Sequence, residues 1–273
     1  QNQKFKLSKL LTDVENSITP EILKILCSKG KIKVNCDSKV EKLTKYIDRT
    51  VKVKKKIEHD NEGENNAQLP VTSNDSKKIK FSLIHEEFLL ENFIAETQNE
   101  RILVISDVAG SGKTTLLTKI YEILRIKFSE HFTIFIGLLK FIDEFSKDVG
   151  DSFPDFILNI LKYNELERKI FMQKYEKGEV KILFDAFDEI SPRCKENTTK
   201  LFQNFKLNGK NQIFITTRTH LEHDLERDLQ VLAHTIKILT EKEQVKFFVE
   251  YWEHEDRKLV KKSAKQLVDK ISV

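Results

Sequence analysis

Residues Asp107-Val-Ala-Gly-Ser-Gly-Lys-Thr-Thr115 set two glycines, a lysine and two threonines in the order that binding a polyphosphate requires. Gly110 and Gly112 let backbone N–H groups turn inward around phosphate oxygens, Lys113 would reach the β- and γ-phosphates of a nucleotide, and Thr114 would give its hydroxyl to Mg²⁺. Ala109, Gly110, Ser111, Gly112, Lys113, Thr114 and Thr115 are the candidate phosphate-binding residues. In front, the apolar run Ile102–Ile105 reads as a buried strand. Behind, the spacing of Leu116, Leu117, Ile120, Tyr121 and Leu124 predicts a helix whose positive dipole end faces the loop. The full pattern G-x-x-x-x-G-K-[ST] begins with glycine. Asp107 stands there instead, which is tolerable where that corner of the loop keeps a negative φ.

Two further segments carry chemistry. Lys181-Ile-Leu-Phe-Asp-Ala-Phe-Asp-Glu189 is a short apolar strand ending in three carboxylates, about 70 residues after the loop. At the carboxyl end of a strand in an α/β nucleotide fold, such groups hold Mg²⁺ through water and polarise an attacking water. Asp185 is assigned to the metal with Thr114, and Asp188 or Glu189 to the water. Gln212-Ile-Phe-Ile-Thr-Thr-Arg218 is another buried strand, ending in a hydroxyl pair and a cation. Arg218 there would sense or stabilise a γ-phosphate; the structural alternative has Thr217 capping the next helix and Arg218 pairing with a surface carboxylate. His220 and His223 follow three residues apart, but no third ligand has suitable spacing, so both are expected as exposed helix residues.

These segments need a scaffold, and 273 residues suffice for one large or two smaller domains. The net charge of +4 is uneven: residues 1–80 carry 18 Lys+Arg against 11 Asp+Glu, a net +7, leaving −3 for the remainder. No basic patch interleaved with aromatics is visible, so a solvated lysine-rich surface is favoured over nucleic-acid binding. Cys27, Cys36 and Cys194 have neither metal-ligand spacing nor an even framework and are expected as free thiols of a reducing compartment. No apolar stretch approaches bilayer-spanning length and no secretory signal opens the chain, so a cytoplasmic location and no membrane partner are expected. Beginning at Gln1 and stopping in a helical pattern, the chain reads as part of something longer.

Along the chain, Leu7–Leu26 has roughly helical spacing, with Thr19-Pro20-Glu21 as a helix start, and Ile32 and Val34 suggest a short extended piece. Residues 51–80 turn to Lys, Asn, Asp, Glu and Ser around Pro70 and read as a linker or flexible insertion. Order returns at Phe81–Ile84, and Phe88, Leu89, Phe93 and Ile94 mark a helix leading to a strand at 101–106. Further strands are expected at Phe132–Leu138, Val180–Asp185, Gln212–Thr216 and His234–Ile238. Helices are expected at 113–127, 153–176, 195–207, 219–228, Glu241–Trp252 and Arg257–Ile271. This alternation points to a parallel sheet with helices on its faces. The 19 phenylalanines are read as core, with Phe247, Phe248, Tyr251 and Trp252 as a possible face for a helical domain.

The loop Asp107–Leu116, the acidic strand Leu183–Glu189, the strand Ile215-Thr-Thr-Arg218 and the late Leu239-Thr-Glu-Lys-Glu-Gln244, followed by Phe247, Phe248, Tyr251 and Trp252, together resemble the NACHT family, a branch of the signal-transduction NTPases found in innate-immune and cell-death regulators. The resemblance covers roughly residues 81–252. It implies an α/β fold, the three-layer sandwich of P-loop NTPases with a mainly parallel sheet, an N-terminal α-rich segment (1–50) before the linker (51–80), a nucleotide-binding domain over 81–239 and the start of a helical domain over 240–273. It also implies ATP/ADP and Mg²⁺ as cofactors, Asp188, Glu189 and Arg218 as catalytic residues, and a slow hydrolytic switch that controls self-association through the nucleotide domain, with protein partners bound by flanking domains. Tyr46-Ile-Asp-Arg49 is similar to a segment that often precedes such domains, which makes Arg49 a candidate for the adenine side. Ala186 stands where many members have glycine, and its small side chain is expected to substitute without harm. The family's downstream winged-helix domain, whose histidine touches the nucleotide, has no counterpart in this sequence. Two other functions suit the same motifs: a non-catalytic scaffold that keeps its nucleotide without exchange, and a rapidly turning AAA+-like motor built as a ring. No Asn-Lys-x-Asp segment for reading guanine occurs, which favours ATP over GTP.

Overall fold

A computed structural model describes residues 46–59, 80–147, 149–150, 152–208, 211–251 and 263–265. Seven strands form one sheet: β1 (Thr50–His59), β2 (Lys80–Leu89), β3 (Ile102–Ser106), β4 (Phe132–Gly137), β5 (Val180–Asp185), β6 (Gln212–Thr217) and β7 (Ala233–Ile236), in the order β2-β1-β7-β3-β6-β5-β4. From β7 to β4 every pair is parallel; β1 and β2 form an antiparallel hairpin, and β1 joins the sheet antiparallel to β7 through Val51↔Ile236 and Lys52↔Thr235. The helices are α1 (Leu90–Glu96), α2 (Lys113–Lys127), α3 (Ile142–Phe145), α4 (Phe153–Ile160), α5 (Glu165–Lys177), α6 (Pro192–Asn208), α7 (Glu222–Leu229) and α8 (Glu241–Tyr251).

Strands buried on both faces read as unbroken apolar runs, and β3, β5 and β6 are buried at every position. Successive residues serve opposite layers. Leu103, Ile105, Leu183 and Phe214 join Leu90, Phe93, Leu116, Leu117 and Ile120 under α1 and α2, whereas Val104, Ile182, Phe184, Ile213 and Ile215 join Phe145, Phe153, Phe171, Phe202 and Phe205 on the other face. The result is a three-layer α/β sandwich around a mainly parallel sheet. Eight of the phenylalanines expected as core are among its largest fully buried side chains, while Phe247 on α8 remains 39% exposed.

Three expectations need correction. Residues 50–59 are not linker but the inner strand of the hairpin. Val51 and Val53 enter the core beneath the lysines, and the lysines find acidic partners: Lys54 bonds Glu222 and lies 3.3 Å from Glu226, and Lys55 is 2.7 Å from both Glu86 and Glu96. Phe88 and Leu89 end β2 rather than beginning a helix, because ladder pairing continues to Thr50↔Leu89. The helix expected over 153–176 is two helices. Lys162 turns to φ +52 and Asn164 starts α5 in a capping box, accepting from Glu167 N at 3.0 Å while Glu167 accepts from Asn164 N at 2.9 Å. The remaining strands and helices lie within a few residues of their expected bounds where described. The helix at Leu7–Leu26, the extended piece at Ile32–Val34, the rest of the linker around Pro70, Cys27, Cys36, Trp252 and most of the last helix lie outside the described residues. Among the described residues no helix is long and apolar enough to cross a membrane.

Candidate functional site

The loop leaves the buried end of β3 and enters α2, as its flanking patterns require. Gly110 and Gly112 adopt φ +77 and +91, and a Cβ on either would meet nothing within 4 Å. Conformation rather than crowding therefore demands glycine here, and the space above the loop is open. Asp107 is absent from the positive-φ residues, so the missing first glycine costs no backbone strain. Its carboxylate is put to structural use: Oδ1 accepts from Val108 N at 2.7 Å and Oδ2 from Ile236 N at 3.2 Å, tying the loop to β7. At the head of α2, Gly112 offers no side-chain cap and the first turn carries no acid, which leaves the positive helix end free for an anion.

Lys113 folds back on its own loop, its Nζ donating to the carbonyls of Asp107 at 2.9 Å and Val108 at 2.7 Å. Burial pushes its pKa below the ordinary lysine value, with Asp188 and Asp107 pulling the other way. Thr114 Oγ1 donates to Asp185 Oδ2 at 2.8 Å, so the loop and the acidic strand meet, although β6 lies between β3 and β5. That intervening strand closes the other side of the same carboxylate: Thr216 Oγ1 donates to Asp185 Oδ1 at 2.5 Å and accepts from Ala186 N at 3.1 Å. A hydroxyl and a carboxylate in contact, both hard oxygen donors, fit Mg²⁺. The buried hydroxyls of Ser106, Ser111 and Thr217 have no hydrogen-bond partner among the described residues, polar capacity that suits an anionic ligand at the loop.

Beyond Asp185 the chain turns through Ala186 at φ +64 into a 3₁₀ turn, Phe187–Glu189, which anchors Phe187 in the core and carries Asp188 and Glu189. Ala186 thus sits where glycine is at ease, and the expectation of a harmless substitution does not hold for the backbone. Arg218, at the carboxyl end of β6, places Nε 2.7 Å from Asp188 Oδ2 and Nη2 3.6 Å from Glu189 Oε1. The carboxylate partner foreseen as an alternative is therefore Asp188, on the site rather than elsewhere. Thr217 caps nothing; its carbonyl accepts from Asp107 N at 3.2 Å. Lys113, Thr114, Asp185, Asp188, Glu189 and Arg218 all converge at the carboxyl edge of three neighbouring strands.

From sequence, Asp107 was noted only as a departure from the loop pattern and Thr216 only as half of a hydroxyl pair, because their bonds to Ile236 and Asp185 carry no distinctive spacing. Arg49, a candidate for the adenine side, has its Nη2 on the loop, donating to Ser111 O at 3.1 Å and to Lys237 O at 3.2 Å. His220 and His223 are exposed, and no cluster of three metal-ligating side chains occurs among the described residues. Cys194 is free and buried.

No protein-family model matches this chain, and no curated protein is similar to it at a significant level. Among solved structures it is similar to domain III of the replication initiation protein DnaA from Thermotoga maritima, at 18% identity over 65% of this chain and 74% of that one, with a TM-score of 0.44.

Proposed function

We propose that the chain binds ATP and ADP and works as a slowly hydrolysing switch of the NACHT type, controlling self-association in a larger cytoplasmic protein. The observation that carries the nucleotide site is the 2.8 Å contact of Thr114 with Asp185, which joins the phosphate loop and the acidic strand into one site. The loop amides and the head of α2 would hold the phosphates, with Lys113 exchanging its two loop carbonyls for phosphate oxygens. Thr114, and Asp185 through water, would hold Mg²⁺, which would supply charge neutralisation to a bound polyphosphate. Asp188 or Glu189 would orient and deprotonate the attacking water; Glu189 is exposed and more weakly engaged, whereas Asp188 is held by Arg218. The switching itself and the signalling role rest on the motif resemblance.

The test is to purify the protein without added nucleotide, denature it and identify what it carried. Stoichiometric ADP that is lost in Lys113→Ala supports the site; an empty but folded wild type refutes it. Glu189→Gln should keep nucleotide affinity while slowing hydrolysis by about 10²-fold or more, the usual range for a positioned base. Undiminished turnover in that variant would move the role to Asp188.

A further inference from the structure

Arg49 is the residue immediately before β1, and the nucleotide reading gives it no role in phosphate chemistry. Its position is fixed from several sides. Tyr46, three residues earlier, packs against the core under α1 and α2, and the Lys119 ammonium of α2 lies 5.3 Å from its ring centroid. Arg49 itself is half-buried, and one nitrogen, Nη2, bonds two carbonyls 126 residues apart in the chain, Ser111 O in the loop and Lys237 O just after β7.

Ser111 lies between the two left-handed glycines, Gly110 and Gly112. A peptide unit is planar and trans, so its C=O and N–H point in opposite directions. Holding the Ser111 carbonyl from behind therefore aims the Gly112 N–H, in the same peptide plane, away from Arg49. The second carbonyl belongs to a segment held by its own contacts: Lys237 N donates to Thr50 O at 2.8 Å, and Lys237 Nζ lies 2.6 Å from Glu87 on β2. Three residues on, Thr240 and Glu243 cap each other at the head of α8, Thr240 N donating to Glu243 Oε2 at 2.7 Å and Glu243 N to Thr240 Oγ1 at 3.4 Å.

We propose that Arg49 is the positioning residue of the phosphate loop, tying the aim of the Gly112 amide to the place of the Lys237–Thr240 segment that leads into α8. The proposal rests on the loop being the nucleotide site. Movement of α8 that draws Lys237 away removes half of the clamp, and the loop loses its support from behind. The hold on nucleotide is thus coupled to the helix that follows the sheet.

The experiment compares the wild type with Arg49→Ala and Arg49→Lys by hydrogen exchange on the nucleotide-free chain, alongside thermal unfolding and titration with a fluorescent ADP. Loss of a charge-assisted hydrogen bond is expected to speed exchange about tenfold in Arg49→Ala, in the loop peptide 108–116 and in 237–244 together, with β1, β2 and the unfolding midpoint unchanged. The same variant should bind ADP about tenfold more weakly, and Arg49→Lys, which restores a cationic donor, should recover most of both effects. Unchanged exchange at 108–116, or exchange raised equally in the hairpin, overturns the proposal. A wild type that binds no nucleotide would sink the function proposed above, while the exchange data would still decide the role of Arg49.

Discussion

Ala186 carries a methyl group at φ +64 in the turn that launches Asp188 and Glu189. An L-residue other than glycine costs roughly 1–2 kcal/mol in that region, and glycine returns roughly half of this through the greater entropy of the unfolded chain. Ala186→Gly is therefore expected to stabilise the fold by about 0.5–1 kcal/mol, measured by chemical denaturation, while leaving the Asp185 contacts in place. A destabilised variant would mean that the methyl contributes packing that outweighs its backbone strain. The sequence displayed the alanine but not its φ, since a left-handed turn after a strand has no signature beyond the glycine that is missing. Asp107 shows the converse. Its departure from the loop pattern looked like a weakness, yet the carboxylate fastens Val108 and Ile236. The bend of the loop was legible because its two glycines stand where the backbone takes positive φ. Thr216, which bonds both Asp185 and the Ala186 amide, was hidden because its partners lie on another strand.

Elements were legible in proportion to how far burial dictates their composition. Strands β3, β5 and β6, covered on both faces, announce themselves as apolar runs. The β1–β2 hairpin did not, because an edge ribbon buries few side chains: Val51 and Val53 were outvoted by the lysines around them. The acidic neighbours of these lysines became visible only once β1 lay beside β2 and α7. Lys181 has no acidic partner within ion-pair distance among the described residues. Lys181, at the start of β5, donates to Gln212 Oε1 at 2.8 Å with its ammonium 4.8 Å from the Phe128 ring centroid, and burial lowers its pKa from 10.5 to about 8. The sign of the effect follows from proton counting. Between pH 8 and 10.5 the unfolded chain holds this proton and the folded chain has released it, so the contribution of Lys181 to stability rises with pH across that window and is most unfavourable below it. Lys181→Met is expected to be more stable than the wild type at neutral pH, with the gap closing as pH climbs toward 10.5. Parallel unfolding curves for the two proteins over this range would show that the amine is not desolvated in the fold.

At the scale of the whole molecule, a nucleotide can shift a conformational equilibrium only through a difference in its affinity for the two states. A γ-phosphate therefore needs a group that distinguishes its presence, and we propose Arg218 for that task. It stands at the end of the strand between loop and acids, its side chain 43% exposed and its guanidinium already paired with Asp188. Turning it toward a γ-phosphate breaks an ion pair that is open on one side, a cost of roughly 1 kcal/mol, against a charge-assisted contact of about 1.5–3 kcal/mol. A diphosphate offers no such return and leaves the pair intact. Arg218→Ala is accordingly expected to weaken ATP about tenfold or more while ADP affinity stays near that of the wild type, read by displacing a fluorescent ADP with each nucleotide. Removing the guanidinium also bares the Asp188 carboxylate to the incoming phosphate. Adding Asp188→Asn should therefore return the part of the ATP loss that is repulsion and leave the part that is lost contact. If ATP and ADP weaken equally in Arg218→Ala, the arginine only holds the Phe187–Glu189 turn in place, and discrimination between the two nucleotides must reside in another part of the protein.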